Sequence, residues 1–267
     1  MVIAGTIAMV LYLAVALLLL LRLNRRAPAA LSHRTALLAA GLVAVALHGV
    51  VLFSGLRGAT GFDLSFFTML SAVSWLVALM LLVAALRRPL ENLAIVVLPL
   101  AALALGLRLA SDQHHYLPAG LPPGLEAHIL VSVLAYSLLS LAVVQALLLA
   151  VQERHLHRGH AAGFVRMLPP LETMERLLFR MIGLGFAVLS LALVLGALYV
   201  EDLFAQHLVH KTVLSVAAWV LFGLLLAGRW RFGWRGRTAI RWTIAAFVLL
   251  MLAYFGSKLV LELILGT

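Results

Sequence analysis

Residues 127–152 read AHILVSVLAYSLLSLAVVQALLLAVQ and contain no Asp, Glu, Lys or Arg. As an α-helix this stretch extends about 39 Å at 1.5 Å per residue, more than the roughly 30 Å of a bilayer's hydrocarbon core. Three more charge-free stretches, 35–56, 64–86 and 181–200, are each long enough to cross as well. Backbone amides in lipid must find partners within the protein, and this length and composition specify helices rather than a barrel. Shorter or once-interrupted apolar segments complete the set. The predicted spans are 2–23, 32–54, 64–86, 91–110, 126–152, 177–200, 208–228 and 238–264, with Pro99 expected to kink the fourth. The fold class is all-α: a polytopic membrane helical bundle of about eight transmembrane helices.

Composition says the same. The 267 residues are 64% hydrophobic and 11% charged, with mean hydropathy +1.12. A soluble domain carries about 25% charged residues to cover its surface; here lipid must solvate much of the exterior. The length suits one transmembrane domain, 1–267, with short loops. Val2–Leu21 has no basic residue ahead of its apolar run, and Arg22, Arg25 and Arg26 follow it. That is the reverse of a signal peptide, so it is read as a retained first helix.

The net charge of +10 would suit a nucleic-acid binder if it were clustered on a soluble face. Instead it marks topology. Arg22, Arg25, Arg26, Arg34, Arg87, Arg88, Arg154, Arg158, Arg166, Arg176, Arg180, Arg229, Arg231, Arg235, Arg237 and Arg241 fall on one side. Only Arg57, Arg108, Lys211 and Lys258 belong to the other. The positive-inside rule predicts both termini outside, periplasmic in a bacterial inner membrane. The partner implied by the basic loops is anionic lipid, not nucleic acid.

With no cysteine, disulfides, iron–sulfur clusters and thiolate haem ligation are excluded. No HExxH or GxxxxGK[ST] motif is present, and no nucleophile–base pair occurs at fixed spacing, so the reading is not an enzyme. Midplane charge is nearly missing, which argues against a coupled transporter. PPLETMERLLFR, residues 169–180, reads as an interfacial helix leading into the sixth span, started by Pro169 and Pro170. His155, His157 and His160 fall in an arginine-rich stretch and read as a solvated loop.

The informative residues are other histidines. His48 lies near the outer end of the second helix, His128 at the outer start of the fifth, and His207 and His210 at the outer start of the seventh. They share one predicted depth. Neutral imidazole is a ligand for metals and for haem iron, and histidines on facing helices can ligate haem axially. Ser132 and Tyr136 follow His128 by one and two turns and extend a polar stripe along the fifth helix.

Lys211-Thr212, Trp219, Gly233-Trp234-Arg235-Gly236 and Tyr254-Phe255-Gly256 stand in fixed order in the carboxy-terminal third. In that order, with His128 opening the fifth helix and GFDLSFFTMLSAVSW at 61–75, the chain resembles the cytochrome c assembly, or haem-handling, membrane proteins (the CcsA/CcmC superfamily). It is most similar to their short YpjD-like branch. The tryptophan-rich segment that forms that family's haem platform is missing: the stretch before Lys211 is EDLFAQHLVH. No histidine follows the Tyr-Phe-Gly either. The resemblance implies haem as cofactor, with His128 and His210 as iron ligands and His207 and His48 as alternates or supporting groups. It implies a role in cytochrome c biogenesis or related haem trafficking, with other membrane or cytochrome-assembly proteins as partners. The competing readings are a cofactor-free membrane scaffold or regulatory partner, and a small-molecule or metal transporter.

Overall fold

The computed structural model describes residues 1–24, 33–58, 61–112, 115–118, 121–157, 168–199 and 209–259. The helices are α1 (Val2–Leu23), α2 (Arg34–Leu56), α3 (Phe66–Arg87), α4 (Glu91–Ala110), α5 (Pro123–His157), α6 (Leu171–Tyr199), α7 (Val209–Phe232) and α8 (Gly236–Met251), the last continued by a π-helix, Leu252–Gly256. Among the described residues, eight helices are long and apolar enough to cross a membrane. The chain is a multi-pass, nearly all-helical membrane protein. Large apolar side chains such as Leu13, Val50, Leu130 and Leu191 face outward, as a lipid-solvated exterior requires.

The contacts group into two compact units, one holding α1–α4 and the other α5–α8. In the first, α1 packs against α2 and α4, and α3 closes the ring between them. Small residues set the α1–α4 approach. A Cβ added at Gly5 of α1 would lie 2.5 Å from Leu109, and one at Gly106 of α4 would lie 2.9 Å from Met9, so each glycine is the notch for a side chain of the other helix. Close approach through small residues is how membrane helices gain packing where apolar burial drives little association.

The basic end of this unit is built on Glu91, in the first turn of α4. Its carboxylate meets Arg34 Nε at 2.5 Å and Arg22 at 3.8 Å. The Arg34 guanidinium also donates to the carbonyls of Ala85 and Arg88, satisfying acceptors that α3 leaves at its end. At the opposite end, three short strands form an antiparallel sheet: β1 (Arg57–Gly58), β2 (Gly61–Asp63) and β3 (Tyr116–Pro118), in the order β1-β2-β3. Strands of two and three residues are too short for an alternating pattern, and the sequence reading left 111–124 irregular.

In the second unit α5 packs against α6 and α8, and α7 against α6 and α8. Two boundaries differ from expectation. Residues 171–180 belong to α6 itself, which runs unbroken through Tyr199, so there is no separate interfacial helix. α5 continues to His157, placing His155 on an exposed helical turn with Nδ1 bonded to the Val151 carbonyl; His160 lies outside the described residues. The GWRG motif makes the α7–α8 corner. Gly233 and Gly236 take positive φ, 66° and 49°, where other residues are strained. The Gly236 N–H, at the start of α8, donates to Glu175 Oε1 at 2.7 Å.

The π-helix has a visible cause. The Tyr136 hydroxyl of α5 donates to the Leu250 carbonyl at 2.5 Å, just where the ladder of α8 slips from α to π. A side chain inserted into the helical ladder is a recurrent source of such irregularity. Tyr136 also meets the Tyr254 and Phe255 rings edge-on. The polar stripe of α5 thus serves packing at Tyr136.

Candidate functional site

A cavity of about 560 Å³ in the second unit is lined by His128 from α5, by Ser190, Gly196 and aliphatic neighbours from α6, and by one face of α7. That face is Lys211, Thr212, Ser215, Val216 and Trp219, the spacing of residues stacked along a helix. Among the described residues lining it, Lys211 alone carries a formal charge.

His128 is held in one orientation. Its Nδ1 lies 2.9 Å from the Ala192 carbonyl of α6. A carbonyl only accepts, so Nδ1 carries the proton and Nε2 keeps its lone pair. Gly196, one turn beyond Ala192, makes room for the ring: a Cβ there would lie 2.9 Å from His128 Cε1. Trp219 is fixed from two sides. Its Nε1 donates to Ser190 Oγ at 2.7 Å, and Ser190 Oγ donates to the Phe186 carbonyl at 2.8 Å. The indole stacks on Phe186 with centroids 5.5 Å apart and 16° between planes. The pocket therefore offers one oriented imidazole nitrogen, a rigid aromatic wall and a cation.

The other expected histidines are placed differently. His210 is exposed and does not line the cavity; it precedes Lys211 by one residue, about 100° around the helix, which turns it off the cavity face. His207 lies outside the described residues. His48 belongs to the first unit and is fully buried, with Nδ1 3.3 Å from the Tyr12 hydroxyl and Nε2 2.8 Å from Ser71 Oγ. Both its nitrogens are engaged within that unit. Among the described residues, no group of three His, Asp or Glu gathers to hold a metal ion. An apolar groove of about 470 Å³ between α2 and α3, over Trp75 and Phe53, has no group for chemistry.

Ala192, Ser190 and Gly196 escaped the sequence reading, because they sit inside an aliphatic helix and act through a carbonyl, a small hydroxyl and a missing side chain. Lys211 was read as a boundary residue. Its signal was present: a cation in the first turn of a helix opposes the macrodipole.

Eight helices able to span a membrane among the described residues, with an oriented histidine lining a cavity, define a polytopic membrane protein with a candidate cofactor site. Residues 36–265 match the family of the cytochrome C assembly protein, and the chain belongs to that family. It is 32% identical over 234 residues to the inner membrane protein YpjD of Escherichia coli K12, covering 87% of this chain and 88% of that one. It is 26% identical to protein HemX of Brevibacillus brevis over 49% of each chain. It is 28% identical to the cytochrome c biogenesis protein CcsA of Trichormus variabilis, over 33% of this chain and 26% of that one. No solved structure matches.

Proposed function

We propose that this chain, working as a single domain in the bacterial inner membrane, binds haem on His128 and handles it in cytochrome c assembly or related haem trafficking. The observation that carries the reading is the His128 side chain, its Nδ1–H committed to the Ala192 carbonyl and its ring at a cavity walled by Trp219. A second group that fixes the tautomer and ring of a ligating histidine is what metal sites use. The residues fit haem: an imidazole for the iron, apolar and aromatic walls for the macrocycle, and Lys211 for acidic substituents. Bound haem would supply redox-active iron; the protein's part is to hold it by one side chain and to exclude water from the apolar walls.

His128 is the sole imidazole among the lining residues, so the site as described supplies one histidine to the iron rather than a pair. That suits a protein that must release its ligand to partners in the membrane. By the positive-inside rule the arginine-rich ends of the helices are cytoplasmic, which puts both termini and the His128 pocket toward the periplasm.

Purified protein expressed with ample haem is expected to show a Soret band and a pyridine haemochrome; a colourless preparation sinks the reading. Gly196→Ala is expected to displace the His128 ring, lowering haem content and costing about 1–3 kcal/mol of stability by overpacking. Gly183→Ala on the same helix, with nothing within 4 Å of the added Cβ, is expected to be neutral or slightly stabilising, since alanine is the better helix former. Thermal unfolding and haem content of the two variants make the comparison.

A further inference from the structure

Where α7 turns into α8, the arginine-rich end of the second unit carries large aromatic side chains on its outside. The Trp230 indole is 88% exposed and the Phe232 ring 73%. The corner beneath them is firmly built. The Trp234 N–H donates to the Gly228 carbonyl at 3.3 Å, and its ring covers that glycine so closely that an added Cβ would lie 2.3 Å from it. Trp234 also stacks on Phe232, with centroids 6.3 Å apart, and meets Trp242 of α8 at 5.2 Å. Arg229 turns inward, donating to the Trp234 carbonyl at 3.1 Å and lying over the Phe179 ring.

The other arginines turn outward. Arg231, Arg235 and Arg241 are exposed, and among the described residues none of them has a carboxylate within ion-pair reach. The acids at this corner are engaged elsewhere: Glu153 faces Arg237 at 3.9 Å, and Glu175 accepts the Gly236 N–H. Arg231 also ends an exposed apolar row. Val220, Leu224 and Ala227 are all exposed and precede it at the spacing of one helical face. From Val220 to Arg231 the row is about 17 Å long at 1.5 Å per residue, roughly half of a bilayer's core of about 30 Å. A cation at a helix C-terminus complements the dipole, which accounts for the sign of Arg231 but not for the bare indole beside it.

We infer that this corner is a docking face for an anionic phospholipid of the adjoining leaflet. The lipid phosphate meets Arg231 and Arg235, since a planar guanidinium matches phosphate oxygens two at a time. The acyl chains run along Ala227, Leu224 and Val220, and the Trp230 indole lies at headgroup level, where amphipathic rings concentrate. Basic residues near a membrane surface attract anionic lipid in general; here the outward guanidinium groups and exposed rings gather that attraction at one place. The inference is independent of haem.

The test is quenching of tryptophan fluorescence of the full chain in phosphatidylcholine vesicles. The vesicles contain a small, equal fraction of either phosphatidylglycerol or phosphatidylcholine brominated in its acyl chains. Three of the five tryptophans, Trp230, Trp234 and Trp242, lie at this corner, so the signal reports on it. Wild type is expected to favour the brominated phosphatidylglycerol about fivefold, the scale of one basic residue near a charged surface. Arg231→Gln combined with Arg235→Gln is expected to abolish the preference. Arg87→Gln combined with Arg88→Gln, the same charge change at exposed positions of the first unit, is expected to keep it. Equal quenching of wild type by the two lipids overturns the inference and leaves the face to a protein partner; this arm needs no variant to fold. A preference that survives the Arg231 and Arg235 changes, or falls as far with the Arg87 and Arg88 changes, overturns it too, because general surface charge would then be the cause.

Discussion

Replacing His128 by alanine is expected to remove the Soret band, and millimolar imidazole in the buffer is expected to restore it. The substitution deletes the proposed iron ligand but leaves the apolar and aromatic walls, and a free imidazole is small enough to fill the space vacated. Because the ring is only partly buried, the loss of packing is modest, so the variant should fold. Its unfolding temperature in detergent separates lost binding from lost structure. His210→Ala is expected to leave the spectrum unchanged, since that side chain is off the cavity face. His48→Ala is expected to leave the spectrum unchanged too, while destabilising the first unit by about 1–3 kcal/mol, because Tyr12 and Ser71 would lose a buried partner. A His128→Ala protein with unaltered haem content removes the assignment. An His210→Ala protein without haem would restore the two-histidine site that the sequence suggested.

That last contrast shows where the sequence stops being legible. The spans could be read because lipid imposes one rule on every residue of a stretch, so 127–152 declares itself by the absence of charge alone. His128 could be singled out because its position at a helix start and the family resemblance agree, an imidazole amid aliphatic residues being costly without a purpose. Its partner could not. His210 and Lys211 are adjacent and equally polar, and about 100° of rotation decides which meets the cavity. The apolar residues of α7 surround both and give no periodicity from which to fix that angle. The group that orients His128 is a main-chain carbonyl 64 residues away, and any residue type could have supplied it. Expected depth was a poor guide for His48: a shared level in the membrane does not place histidines in one cavity, and the Tyr12 and Ser71 contacts that hold it come from two other helices.

The largest stability effect is expected at Asp63, which does not line the His128 cavity. Its side chain is fully buried and accepts from four directions. Oδ1 takes the backbone N–H groups of Ser65 and His115, each at 3.0 Å. Oδ2 takes the Thr68 hydroxyl at 2.9 Å and faces the Arg108 guanidinium at 3.4 Å. One carboxylate thus ties the start of α3, the last turn of α4 and the approach to β3, and its charge lies at the favourable end of the α3 dipole. Asp63→Ala is expected to cost about 3–5 kcal/mol, the scale of breaking a buried pair from one side, because Arg108, its side chain only 15% exposed, is left without this carboxylate. If that stranded charge is the main cost, Arg108→Met in the Asp63→Ala background should relieve part of it. The double variant is expected to be more stable than the sum of the two single changes predicts, by about 1–3 kcal/mol. Strict additivity in thermal unfolding would mean that Asp63 acts through its hydrogen bonds from Ser65, His115 and Thr68 alone. The sheet would then be held by the Ser65 and His115 amides, with Arg108 an accessory rather than the partner that makes a buried carboxylate tolerable.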